Sequence, residues 1–79
     1  MESETTATYD AGDMGCGELV VALSRRMRQL PPDAVLELIT RDPGSIEDIP
    51  AWCRMRGYEL TQMDRNSDTR AIHFWIRKR

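Results

Sequence analysis

Residues 41–60 read RDPGSIEDIPAWCRMRGYEL: a turn, a helix, a stop and the opening of a strand. Asp42, Pro43 and Gly44 interrupt any regular element before them. The start of the helix has two readings. Ser45 with Asp48 three positions on resembles a capping box and would start it at Ile46. Pro50 would then fall one place past the free donors of the first turn and cost a hydrogen bond, whereas a start at Asp48 makes it harmless. The expected compromise is an irregular turn around Ser45 and a regular helix over 48–56. Ile46, Ile49 and Cys53 then share its buried face, Trp52 lies at the edge, and Gly57 stops it.

Working upstream, residues 34–40 (AVLELIT) form a strand whose mixed alternation implies partial burial on both faces. Before it, Leu19, Leu23, Met27 and Leu30 recur at helical spacing, with Val20 widening the stripe and Arg25, Arg26 and Arg28 largely off it. This helix opens at about Gly17 and is stopped by Pro31 and Pro32. Residues 10–15 (DAGDMG) break regularity, and Thr5–Tyr9 reads as a first strand. Downstream, residues 58–63 make a strand, 64–68 (DRNSD) a turn, and TRAIHFWIRKR alternates cleanly. Ile72, Phe74 and Ile76 lie on one face, with Ala71, His73, Trp75 and Arg77 on the other. The order β-α-β-α-β-β predicts an α+β two-layer sandwich, a four-stranded mixed sheet with two helices packed on one face.

The whole chain, residues 1–79, reads as a single domain with residues 1–4 frayed. It is 41% hydrophobic and 30% charged with a formal net charge of −2, so it lacks the positive excess that nonspecific nucleic-acid binding requires. The three basic residues of the RKR terminus are a common surface feature and a weak argument for such binding. No apolar run is long enough to cross a bilayer, and the acidic, polar start MESETTATYD is neither a signal nor a transit peptide, so a cytoplasmic location is expected. In that reducing compartment Cys16 and Cys53 are expected as free thiols, and with one histidine in the chain no metal site is expected. Cys53 points into the core by its spacing from Ile46 and Ile49. Cys16 is different: it stands between Gly15 and Gly17 at the start of a helix.

Several motifs resemble the TusA/SirA family of small sulfur-carrier proteins. Residues 41–60 hold D-P, then D-I-P, an aromatic, a cysteine, a glycine and a terminal E-L in that family's register. Asp10–Ala11 stands six residues before Cys16, which opens the first helix, and the closing IRKR is similar to the family's last strand. The likeness spans about Thr5 to Arg79. It departs at the family's C-P-x-P hallmark, which is C-G-E-L here. The usual glycine three residues before the cysteine is Asp13, which is expected to accept the left-handed backbone of the turn in its place.

The resemblance implies a sulfurtransferase without cofactor that holds sulfane sulfur as a persulfide on Cys16. A persulfide anion is favoured at a helix N-terminus, where free N–H groups and the macrodipole meet it, and Cys16 is placed at about the N-cap. Met14, Gly15, Gly17 and Glu18 form the supporting loop and first turn. Gly17 restores an N–H that the family's proline lacks and loosens the turn, while Glu18 favours the dipole but repels a persulfide. Arg25, Arg26 and Asp42 are candidate partner-docking residues; plain solvation of the arginines and turn formation by Asp42 are the competing readings. His73 reads as a surface histidine rather than a base, and Trp75 shares its face. Implied partners are a cysteine desulfurase or rhodanese-like donor and a downstream sulfur acceptor serving tRNA thiolation or related trafficking, with no direct nucleic-acid contact and a monomeric carrier. The alternative is a non-catalytic interaction or regulatory module that has lost C-P-x-P.

Overall fold

The computed structural model describes residues 5–79; the expected fraying of residues 1–4 lies outside them. The elements are β1 (Ala7–Gly12), α1 (Cys16–Arg28), β2 (Val35–Thr40), α2 (Ser45–Arg56), β3 (Glu59–Arg65) and β4 (Ile72–Arg77). They form one four-stranded sheet in the order β1-β2-β4-β3. β1 and β2 are parallel across the α1 crossover, and β4 runs antiparallel to both β2 and β3. The expected β-α-β-α-β-β order and mixed sheet are both present.

Register explains why the two helices share a face. Leu36, Leu38 and Thr40 of β2 stand opposite Ile76, Phe74 and Ile72 of β4, so all six project to one side of the sheet. Onto that side fall Leu19, Leu23 and Met27 of α1 and Ile49, Trp52 and Cys53 of α2, in a single buried cluster. Glu37, Ile39, His73, Trp75 and Arg77 alternate onto the uncovered side and are half-buried. Phe74 and Ile76 are fully buried in the middle of this arrangement.

Three boundaries and the burial of two α2 residues differ from the sequence reading. β1 runs on through Asp10 and Ala11 to Gly12, because parallel pairing with β2 holds residues that local turn propensity would release. β3 extends to Arg65, and the turn that follows is closed by the Asn66 N–H to the Ala71 carbonyl at 2.9 Å. α2 starts at Ser45 with Pro50 inside it, yet its first turn is irregular as expected: Ser45, Ile46 and Glu47 donate three residues back, and only Asp48 donates four back, to Gly44. No capping box forms; the Ser45 hydroxyl donates to the Asp42 carbonyl at 2.7 Å. Trp52 is buried rather than marginal and Ile46 only partly buried, because the Tyr58 ring closes over Trp52 with centroids 5.3 Å apart.

The basic C-terminus is structural. Lys78 Nζ donates to the Leu30 and Arg28 carbonyls at the end of α1, at 2.7 and 3.3 Å, satisfying acceptors that every helix C-terminus leaves free. Arg77 donates to Glu59 Oε1 from both Nε and Nη2, at 3.0 and 2.7 Å. Two of the three cations of RKR are thus engaged within the fold.

Candidate functional site

The connection between β1 and α1 is built by short-range bonds. Asp10 Oδ1 accepts from the Gly12 N–H at 2.9 Å, and the Met14 N–H donates to the Ala11 carbonyl at 3.1 Å, closing a tight turn. The left-handed residue in that turn is Gly12, with φ at 60°, and not Asp13. This corrects the sequence expectation: with a glycine one place earlier, the positive-φ position goes to the residue that has no Cβ to strain. Asp13 instead lies exposed and accepts from Arg41 Nε at 3.2 Å. Met14 turns inward, packed against the core with its sulfur accepting the Tyr9 hydroxyl at 3.8 Å. The loop is therefore anchored on both sides of the glycine.

Gly15 is the N-cap, extended at φ −73° and ψ 162°, with no side-chain cap; Cys16 is the first residue of α1. The cysteine stands one position further into the helix than the expected N-cap. A proline at position 17 would bias its predecessor towards extended backbone, and Gly17 lifts that restriction. The first intrahelical bond is Leu19 N–H to Gly15 C=O at 2.8 Å. Hence the N–H groups of the preceding turn, including those of Gly17 and Glu18, have no acceptor within α1. Glu18 is the one acidic residue of that turn. A Cβ added to Gly15 or Gly17 would meet nothing within 4 Å, so the space on both flanks of Cys16 is open.

Sequence-predicted docking residues separate onto different surfaces. Arg26 lies over the Tyr9 ring, its guanidinium carbon 4.0 Å from the centroid, while Arg25 is exposed beside it. Asp42 is committed to the turn before α2, where its Oδ1 accepts from the Gly44 N–H at 3.2 Å. That turn follows β2, which is parallel to β1, so Asp42 lies at the same end of the sheet as Cys16. On the other flank of α1 lies an open groove of about 710 Å³ that sequence reasoning missed, lined by Gly17, Val20, Val21, Ala51, Trp52 and Met55. Val21 is 61% and Met55 75% exposed. Arg28 and Arg56 also border it. Its only sequence signal was a helix stripe wider than the core needed.

Cys53 is 2% exposed, and burial pushes its thiol up to about 11 from the ordinary 9.0. It forms no disulfide. His73 Nδ1 lies 2.8 Å from Glu37 Oε2, and its ring stacks on Trp75 at 5.8 Å, on the face of the sheet that the helices leave uncovered. Among the described residues no group of His, Cys, Asp and Glu could hold a metal ion, and no helix is long and apolar enough to cross a membrane.

The family model for "Sulfurtransferase TusA" matches residues 7–78, which takes in the whole sheet, both helices and the Cys16 turn. The chain belongs to the TusA family. It is 37% identical over 73 residues to the sulfur carrier protein TusA of Pseudomonas syringae pv. tomato, covering 92% of this chain and 84% of that protein. Against the sulfur carrier protein TusA of Pseudomonas aeruginosa LESB58 the identity is 34% over 79 residues, covering all of this chain and 98% of the other. The match runs through every element of the fold, and glycine stands at position 17, where the resemblance expects the proline of C-P-x-P.

Proposed function

We propose that this TusA-family protein is a sulfur carrier that holds sulfane sulfur as a persulfide on Cys16. The Cys16 thiolate attacks the outer sulfur of a donor persulfide; the new S–S bond forms as the donor's S–S bond breaks, and the donor leaves as a thiol. The same exchange, run onto an acceptor thiol, returns Cys16 to its starting state with no net oxidation. The observation that carries this reading is that Cys16 is the first helical residue of an uncapped α1. Unpaired N–H groups and the macrodipole favour a thiolate or persulfide anion at such a position. Gly15, Gly17 and Met14 shape and anchor the approach, and Glu18 limits how strongly the anion is held.

The donor is a cysteine desulfurase or a rhodanese-like protein, and the acceptor another relay protein, serving tRNA thiolation or related trafficking in the cytoplasm. Docking runs along α1, with the Val21–Met55 groove on one flank and Arg25 and Arg26 on the other, and Asp42 at the Cys16 end. Incubation with a cysteine desulfurase and L-cysteine should add the mass of one sulfur atom to the native chain and none to Cys16→Ser. Failure to gain sulfur with desulfurase and rhodanese donors alike would overturn the assignment. The C-G-E-L sequence supports one other reading, a non-catalytic interaction module. Iodoacetamide alkylation at equal rates in native protein and Cys16→Ser would put that reading ahead.

A further inference from the structure

A second hollow, of about 390 Å³, opens between the residues that follow β2 and the β3–β4 turn. Three of its lining residues are arginines, Arg41, Arg65 and Arg70, and none is acidic. Asn66 and Ser67 add an amide and a hydroxyl, and Pro43 and Ile72 supply apolar wall. In a chain of net charge −2, three arginines lining one concavity, one of them paired with the exposed Asp13, gather positive charge there. We propose that this hollow binds a compact tetrahedral oxyanion of the phosphate or sulfate type.

The planar donor fork of arginine matches tetrahedral oxyanions two N–H groups at a time, and a concavity lets several forks converge on one ligand. The frame that holds them is already closed. Asn66 N–H donates to the Ala71 carbonyl, and Asn66 Oδ1 accepts from the Asp68 and Thr69 N–H groups at 2.9 and 3.2 Å. With its side-chain oxygen so engaged, Asn66 keeps its side-chain NH2 as a donor suited to an anion. Arg65 and Arg70 stand on the two sides of this turn. Arg41 is bonded at Nε to Asp13, but its side chain is about half exposed and that of Asp13 largely so, and such a pair is worth about 1 kcal/mol at most. An oxyanion therefore competes for Arg41 at little cost. A polyanionic strand is disfavoured as the ligand, because the remaining surface lacks the basic excess that nucleic-acid binding draws on.

The test is a titration of the full-length protein with inorganic phosphate and, separately, inorganic sulfate, followed by backbone amide NMR at constant ionic strength. Saturable shifts centred on Arg41, Arg65, Asn66, Ser67 and Arg70 are expected with at least one of the two anions. Arg70→Gln and Arg65→Gln should each weaken that binding by about tenfold, the scale of one charge-assisted hydrogen bond, and Arg54→Gln on the exposed face of α2 should not change it. Amide dispersion in the same spectra reports whether each variant is folded, and two independent arginine variants guard against the loss of one. An identical response to chloride, shifts that do not saturate, or shifts centred elsewhere would each overturn the proposal. So would binding of a single-stranded RNA oligonucleotide at these residues with no binding of either inorganic anion.

Discussion

The backbone N–H of Arg41 donates to the Gly12 carbonyl at 2.9 Å, fastening the turn that leads to Cys16 onto the end of β2. The side chain of Arg41 adds a second link, to Asp13, between two exposed groups. These links differ in kind. Arg41→Ala keeps the backbone bond and gives up only the exposed pair, so its stability should fall by less than about 1 kcal/mol. Gly12→Ala forces an L side chain into φ 60°, and although the added Cβ meets no neighbour, the torsional strain should cost about 1–2 kcal/mol. Gly15→Ala, at an ordinary extended backbone with open space around it, exchanges a fair N-cap for a poor one but lowers unfolded-state entropy, so it should cost no more than about 0.5 kcal/mol. Urea midpoints at unchanged m-value check the ranking. Equal midpoints for the two glycine variants would refute the role given to Gly12.

Cys53 makes a prediction in pH. Its native thiol holds its proton up to about 11, whereas the unfolded thiol releases it near 9.0. Between those values the native state binds more protons than the unfolded state, so unfolding free energy falls as pH rises. The contribution is fully present below pH 9 and is lost progressively towards 11. Denaturation curves across that range should show this loss in the native protein and a shallower one in Cys53→Ala, even though the variant is less stable at neutral pH from its small cavity. Identical slopes would mean that Cys53 is not the buried thiol described here.

The legible parts of this fold were those encoded by local pattern. Ile72, Phe74 and Ile76 alternate so cleanly that β4, its buried face and the two-layer architecture follow from the sequence. Leu19, Leu23 and Met27 mark the core face of α1 in the same way, and Cys16 stands out through its two glycine neighbours. What escaped depended on partners distant in sequence. Asp10 to Gly12 look like a loop until β2 pairs with them, and Trp52 looks marginal until Tyr58 covers it. The left-handed turn position fell to Gly12 because two adjacent residues could both take it and glycine takes it without strain. The arginine-lined hollow was invisible because Arg41 and Arg65–Arg70 meet only through the sheet order β2-β4-β3.

Gly17 offers a direct measure of what the missing proline changed. It lies inside the first turn of α1, and a Cβ there would meet nothing within 4 Å. Gly17→Ala should therefore stabilise the protein by up to about 1 kcal/mol, through lower backbone entropy in the unfolded chain and better helix propensity. Thermal unfolding reads the effect as a higher midpoint. A drop in midpoint would show that position 17 does not have the open helical surroundings assigned to it.

Transfer should depend on the groove between α1 and α2 if a donor seats its apolar surface there. Val21 and Met55 have most of their surface in solvent, so Met55→Glu removes little packing and should change stability by no more than about 0.5 kcal/mol. A carboxylate placed among Val20, Val21 and Trp52 must be desolvated on docking, and even with Arg28 and Arg56 at the border an imperfectly paired charge there costs about 1–3 kcal/mol. Sulfur uptake from a desulfurase should accordingly slow by tenfold or more. Alkylation of Cys16 by iodoacetamide, which needs no docked protein, should keep its native rate. Charge reversal at Arg25, on the other flank of α1, provides the comparison: if Arg25→Glu slows uptake and Met55→Glu does not, donor recognition belongs to the arginine face and the groove has no part in it.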